Sequence, residues 1–341
     1  MSSSHSSLST PIRCLITGGC GFIGVNLVRY LLNRGDYEIV ILDNFSVGKR
    51  EYLDEAIDDL PNKKNVEVVE GDIRDRAICD EVCKGIDTVV HLAAQAGVIS
   101  SIEDPFYDCE VNINGTLNLL NSAVKNKVDK FIFASSNAPL GQQDPPINEE
   151  KVPKPLSPYG ASKLACEGYC SAFYKSYGLK TVILRFSNVY GPYCLHKNSV
   201  VAKFLKDGIL KGKLTIYGDG NQTRDFIHVD DLCHAIYLTL TFSDSNNHWG
   251  EIFHLGTGKE TRIIDLATMV KALFDREIDI IFEPERKGEI KRNYSDISKT
   301  KSMLRFKTRI KLEEGVKGVY EWFTSLKYER IKNATTLSGS E

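Results

Sequence analysis

Six short runs rich in β-branched and aliphatic residues, at 12–16, 38–42, 66–69, 88–92, 130–134 and 181–185, alternate with stretches of helical period at 22–33, 74–84, 109–126 and 161–177. No other feature limits the fold so strongly. A helix between two strands carries the chain back to the same end of the sheet, so successive strands run parallel and helices cover both faces. The expectation is an α/β chain built on a doubly wound parallel sheet. Past residue 190 the alternation loosens into a loop-rich stretch at 191–220, a helix at 230–241, a strand at 252–255 and helices at 263–274 and 312–326. This predicts a first domain at 12–190, with chain returning to it near 226–257, and a smaller α+β lobe from 191–225 and 258–328. Residues 1–11 and 329–341 read as a flexible lead and tail.

Composition excludes several classes. The 341 residues are 42% hydrophobic and 26% charged, enough to bury a core and ordinary for a globular chain. A formal net charge of -2 offers no global field to draw the chain to nucleic acid or to an anionic membrane. Any anion it binds is held locally. No apolar run approaches the ~20 residues that span a bilayer, and the Ser-rich lead lacks the apolar stretch of a secretory signal. Cys79 with Cys83, and Cys166 with Cys170, are spaced four apart but have no companion ligands at zinc spacing. Free thiols in a reducing cytoplasm, and no metal site, are expected.

Directly after the first strand, Thr17-Gly18-Gly19-Cys20-Gly21-Phe22-Ile23-Gly24 opens a helix. Glycines at 18, 21 and 24 allow a sharp turn, close approach of backbone to a pyrophosphate and tight helix–sheet packing, with the helix N-terminus facing the phosphates. The second strand ends in Asp43, 19 residues after Gly24. A carboxylate there accepts hydrogen bonds from a ribose and repels a 2′-phosphate, which favours NAD. Lys49 and Arg50 follow closely enough to keep NADP open. Asp72, in Gly71-Asp72-Ile73, ends the third strand within reach of an adenine, and His91-Leu92-Ala93-Ala94 ends the fourth with small residues that let backbone pass under a cofactor. Ligands of such sheets gather at these carboxyl ends. The fold class is therefore read as a Rossmann-type doubly wound sheet.

Tyr159 and Lys163 stand four apart at the start of a helix, hence on one face. A phenol with a pKa near ~10 is a poor base at neutral pH. A neighbouring ammonium and a positive nicotinamide ring would favour its phenolate. Upstream, the fifth strand delivers Ser135 and Ser136, hydroxyls able to hold a reacting oxygen.

With these motifs assembled, the sequence resembles the extended short-chain dehydrogenases/reductases, and within them the UDP-sugar 4-epimerases. The resemblance runs from about Ile12 to Phe323 on TGGCGFIG, GDI, HLAA, VNINGT, SPYGASK, RFSNVYGP, YGDGNQTRDFIHVDDL and FHLGTG. It implies tightly held NAD, with contacts from Gly18, Gly21, Phe22, Ile23, Gly24, Asp43, Asn44, Asp72, Ile73, Leu92, Ala93, Ala94, Asn112, Tyr159 and Lys163. It implies Tyr159 as acid/base, Lys163 on the nicotinamide ribose and lowering the tyrosine pKa, Ser136 as the assisting hydroxyl and Asn112 as support for the active-site loop. It also implies a homodimer through the helices at 109–126 and 161–177.

For a nucleotide-diphosphate sugar, the resemblance implies Arg224 and Arg286 on the diphosphate and Asn188 on phosphate and sugar. Tyr217 would lie against the base, with backbone near Asn198 and Val200 helping. Asn293 resembles a position whose bulk separates plain hexoses from N-acetylated ones, and asparagine leaves room for an N-acetylhexosamine. The sequence also departs from the family. Pro139-Leu140-Gly141 replaces the usual Val-Tyr-Gly, and Asn137 and Ala138 stand where dehydratases and decarboxylases carry an acid. Ile99 and Tyr193 are neutral where a glucuronate would need a cation. Three functions stay in view: a UDP-hexose or UDP-N-acetylhexosamine 4-epimerase, a dehydratase or 2-, 3- or 5-epimerase of the same fold, and a non-catalytic NAD sensor. A sensor would be expected to have lost the Ser, Tyr or Lys.

Overall fold

All six expected strands form: β1 Ile12–Thr17, β2 Tyr37–Asp43, β3 Val66–Glu70, β4 Thr88–His91, β5 Lys130–Ser136 and β6 Lys180–Phe186. The computed structural model describes residues 11–243, 248–286 and 290–337, so all but Pro11 of the expected lead lies outside it. A seventh strand, Ile252–Leu255, pairs with β6, and the sheet order is β3-β2-β1-β4-β5-β6 followed by that strand. Every pairing is parallel. The order reverses between β1 and β4, so a crevice opens at their carboxyl ends. Cys14 and Ile16 pack into one hydrophobic layer and Leu15 into the other. Burial on both faces is why these runs read as continuously apolar.

The smaller lobe is held by short pairings. Lys213–Tyr217 runs parallel to Asp279–Glu283, and Thr223–Arg224 runs antiparallel to Thr261–Arg262. Phe226–His228 pairs with Asn188–Tyr190 and leads into the helix Val229–Leu240, which packs back on α1 (Phe22–Leu32).

Three expectations are corrected. The stretch read as loop-rich at 191–220 holds the helix Val200–Lys211 and the strand Lys213–Tyr217. Gly208 disguised the helix. A Cβ there would lie 2.5 Å from the Phe274 ring, so this glycine serves packing rather than breaking. Second, the helix read at 109–126 begins as a π-turn, Cys109–Asn114, and becomes α-helical only at Gly115–Lys125. Third, of the tail read as flexible at 329–341, the described part forms the helix Tyr328–Leu337, and 338–341 lie outside the described residues. Its Ile331 is buried, and Arg330 grips Glu55 at 2.8 and 3.0 Å. An anchor so distant in sequence leaves no local signal.

Candidate active site

The turn after β1 is shaped by backbone contacts. Gly18 has φ +70°, and a Cβ on it would meet the Ala93 nitrogen at 2.8 Å, so β1 and β4 touch here through backbone. A Cβ on Gly24 would lie 2.2 Å from the Gly18 oxygen. At Gly21 the nearest obstacle is the Gly18 oxygen at 3.3 Å. Helix α1 starts with neither a side-chain cap nor an acidic residue in its first turn. Its leading amides are thus presented outward, as a pyrophosphate requires. Substituting Gly24→Ala should strip the dinucleotide from the purified protein and lower Tm, since overpacking against backbone costs about 1–3 kcal/mol. Nucleotide released on denaturation and a melting curve check this, and an unchanged Tm with full occupancy would contradict it.

Asp43 ends β2, buried, and its two carboxylate oxygens accept from the backbone amides of Cys20 and Phe45, both at 2.9 Å. It therefore clamps the glycine turn to β2, a task the sequence did not suggest. Burial raises its pKa, opposed by those two amides. Asp72 accepts from Arg74 and from Asn44 Nδ2 (2.9 Å), and the Arg74 guanidinium holds its carboxyl down to about 2. Ile73 is buried and fits against Gly115, where a Cβ would strike its Cδ1 at 2.5 Å.

A buried relay joins β1, β4 and the π-turn. Ala93 N donates to Thr17 Oγ1 (3.2 Å), which lies 2.7 Å from His91 Nδ1. His91 Nε2 lies 3.0 Å from Thr116 Oγ1, and Thr116 donates to Asn112 O at 2.5 Å. A carbonyl only accepts, so Thr116 receives its other bond from Nε2–H, and Nδ1 accepts from Thr17. Asn112 then ties the loop after β4. Its Oδ1 accepts from Gln95 N (2.9 Å), while Nδ2 donates to Gln95 O, Asp108 Oδ1 and Ser162 Oγ. The π-turn is what aims it there.

Helix Pro158–Tyr177 starts where Ser157 caps the Gly160 amide at 3.1 Å and Pro158 takes the first position. A Cβ on Gly160 would lie 2.6 Å from the Ala138 oxygen, so the helix start docks directly on the loop after β5. That contact brings the Tyr159 phenol near the Ser136 side chain, whose hydroxyl lowers its pKa. Lys163 is buried and donates to Ala134 O at 2.8 Å, with Nζ 5.9 Å from the Tyr159 ring centre. Two expectations change here. Burial raises the Tyr159 pKa, opposed by the Ser136 hydroxyl and reinforced by Asp108; within the protein alone the phenol moves up, not down. Ser135 faces away from Ser136: it donates to Glu167 Oε1 at 2.6 Å, beside the buried Arg185–Glu167 pair at 2.6 and 2.9 Å. Strand alternation sends neighbouring side chains to opposite faces.

Six of the residues read as substrate contacts, Asn188, Asn198, Val200, Tyr217, Arg224 and Arg286, line one cavity of about 220 Å³, and Ser136 is not part of that lining. The Arg286 guanidinium lies 3.8 Å from the Tyr217 ring centre, covering the face expected to meet a base. Asn293 lies outside this lining. Its Oδ1 is 3.4 Å from Asn137 Nδ2, in a polar cluster with Ser187, Ser295 and the buried His254.

A dinucleotide cradle at the switch point, with Ser136, Tyr159 and Lys163 converging beside it, defines an enzyme of the extended short-chain dehydrogenase/reductase class. The NAD dependent epimerase/dehydratase family matches residues 14–256, and the chain belongs to it. Its cofactor is NAD. It is similar to the UDP-N-acetylglucosamine 4-epimerase of Methanobrevibacter ruminantium (35% identity, covering 93% of this chain and 99% of that one, TM-score 0.84). The NAD complex of the Thermus thermophilus UDP-glucose 4-epimerase is similar too (33%, 93% and 100%, TM-score 0.82). So is the UDP-N-acetyl-alpha-D-glucosaminuronate decarboxylase of Bacillus cytotoxicus, 33% identical over 328 residues, 92% of this chain and 98% of that protein.

Proposed function

We propose that this enzyme is a 4-epimerase of UDP-hexoses or UDP-N-acetylhexosamines. One observation carries the choice of reaction. The Tyr159–Ser136 pair is followed by Asn137 and Ala138, neither of which has a carboxylate to remove a proton from carbon 5. The glycine turn, the α1 amides and Asp43 would hold NAD, which when bound supplies an acceptor that takes a hydride and gives it back. Tyr159 would take the 4-hydroxyl proton as carbon 4 is oxidised. Ser136 holds the reacting oxygen through the 4-keto stage, and Lys163 binds the nicotinamide ribose. The keto sugar would turn over before carbon 4 is reduced on its opposite face, and Tyr159 would give the proton back. Arg224 and Arg286 neutralise the diphosphate, Asn188 orients it, and Arg286 leaves the Tyr217 ring to make way for the base. Asn293 leaves room for an acetamido group.

In this proposal the cofactor domain spans 12–190 with returning chain near 226–257, and 191–225 with 258–328 form the substrate lobe. A cytoplasmic homodimer is part of it. Phe106 and Ile102, 82% and 60% exposed beside the proposed dimer helices, support an interface there. Among the described residues no helix is long and apolar enough to cross a membrane.

The test is to incubate the purified protein, without added NAD, with UDP-, GDP-, CDP- and dTDP-sugars and to follow products by NMR. Interconversion of a UDP-hexose or UDP-N-acetylhexosamine with its 4-epimer is expected. A product lighter by one water or one carbon dioxide would overturn the proposal.

A further inference from the structure

A buried polar row crosses the sheet one residue from Ser136. Ser135 on β5 stands opposite Arg185 on β6, and Arg185 stands opposite His254 on the strand Ile252–Leu255. Register partners share a face of the sheet, and all three side chains are buried. Glu167 takes the Arg185 guanidinium at Nε (2.9 Å) and Nη2 (2.6 Å). Among the described residues, Arg185 Nη1 and His254 Nε2 are then left buried with no hydrogen-bond partner.

Two neighbours decide which nitrogen of the neutral His254 ring carries its proton. A guanidinium only donates, so a proton on Nε2 would add a donor on the face that Arg185 already fills with donors. On the other side, Nδ1 lies 3.0 Å from Asn137 Oδ1, and an amide oxygen only accepts. The proton therefore sits on Nδ1, and Asn137 must turn its NH2 the opposite way. There Nδ2 reaches Ser295 Oγ at 3.2 Å and Asn293 Oδ1 and Ser187 Oγ at 3.4 Å each.

The direction of these bonds fixes what the cluster offers. Both amide oxygens are taken, that of Asn137 by His254 and that of Asn293 by Asn137. Ser187 and Ser295 lie 3.1 Å apart, and one donates to the other. One serine O–H and the Asn293 NH2 are left without an acceptor in the cluster. Three acceptors at 3.2–3.4 Å are also long partners for the two hydrogens of Asn137 Nδ2. Asn137 and Ser295 are buried, while Ser187 and Asn293 are partly exposed, so the spare donors lie at the open edge. Among the described residues no lysine or arginine bonds to these four side chains. A donor surface without a cation suits a neutral carbonyl rather than a carboxylate.

We propose that His254 is a positioning residue that orders the hydrogen bonds beside Ser136, making this wall a donor surface that selects an acetamido carbonyl, and so a UDP-N-acetylhexosamine over a UDP-hexose. The inference deepens the 4-epimerase reading and rests on it.

The test compares His254→Leu, which lacks the donor, with His254→Asn, whose amide can place an N–H where Nδ1 stood. Calorimetry on the purified proteins measures Kd for UDP-N-acetylglucosamine and for UDP-glucose. The unaltered protein should bind the first about tenfold more tightly, the worth of one hydrogen bond. His254→Leu should weaken UDP-N-acetylglucosamine about tenfold and UDP-glucose less than about threefold. His254→Asn should stay within about threefold for both. Equal weakening of both ligands, an asparagine variant no better than the leucine one, or no preference in the unaltered protein would overturn the proposal. A second arm needs neither ligand nor variant: long-range 15N spectra of histidine-labelled protein at pH 7 should show His254 as the Nδ1–H tautomer. A proton on Nε2 rejects the ordering. If neither sugar nucleotide binds, the proposed function falls and the selectivity with it, while the spectrum still decides which way Asn137 is held.

Discussion

Tyr159→Phe is expected to lower kcat by about 10³-fold, within the range that a positioned general acid/base contributes, while NAD stays bound. The substitution removes one oxygen and keeps the ring, so the packing of the helix start on the Ala138 carbonyl is preserved. What is lost is the hydroxyl that meets Ser136 and exchanges the substrate proton. Lys163 keeps its bond to Ala134 O. Turnover by NMR and the ultraviolet spectrum of nucleotide released on denaturation separate the two effects. Turnover within tenfold of the unaltered enzyme would remove Tyr159 from the chemistry. Loss of NAD along with activity would make its role structural.

Acid should destabilise the fold steeply, and two buried histidines set the window. Burial, with Lys163 adding for His91 and Arg185 for His254, pulls both pKa values down to about 3. His91 cannot take a second proton without breaking its bond from Thr17, because Nδ1 accepts there. In the unfolded chain both residues titrate near ~6.5. Between those values the unfolded state binds two more protons, so stability falls as pH falls, by up to about 2.7 kcal/mol per pH unit. The loss begins near pH 6.5 and ends only below about 3, where the folded state binds them too. Urea midpoints at pH 7, 6, 5 and 4 measure the slope. His91→Gln should remove up to about 1.4 kcal/mol per pH unit of it. A flat profile from pH 6 to 4 would show that these rings are not buried and neutral.

The proposed catalytic set is readable from sequence because its parts are local. Tyr159 and Lys163 share one helical turn, and the glycine turn lies between one strand and one helix. The two serines show where such reading ends. Ser135 and Ser136 are adjacent in sequence, yet only the packing of Glu167 and Arg185 under β5 reveals that the first belongs to a buried ion-pair network. Asp43 likewise carries the composition of a ribose ligand, while its hold on Cys20 N depends on how the turn folds back over β2. The cavity residues came from four separated stretches, and motif resemblance alone had grouped them. The structure gathers six of them and leaves Asn293 beside Asn137.

Local chemistry therefore determined the parallel α/β architecture: β-branched runs separated by helical periods permit few other pairings, and three glycines mark where the first strand must turn. Long-range packing decided the rest. The Tyr328–Leu337 helix depends on Glu55, the π-turn on contacts made by Asn112, and the burial of Lys206 on a loop held between Tyr52 and Trp322. The physical reason is that propensity and periodicity act within a few residues along the chain. Burial, hydrogen-bond partners and pKa depend on neighbours that only the folded chain brings together.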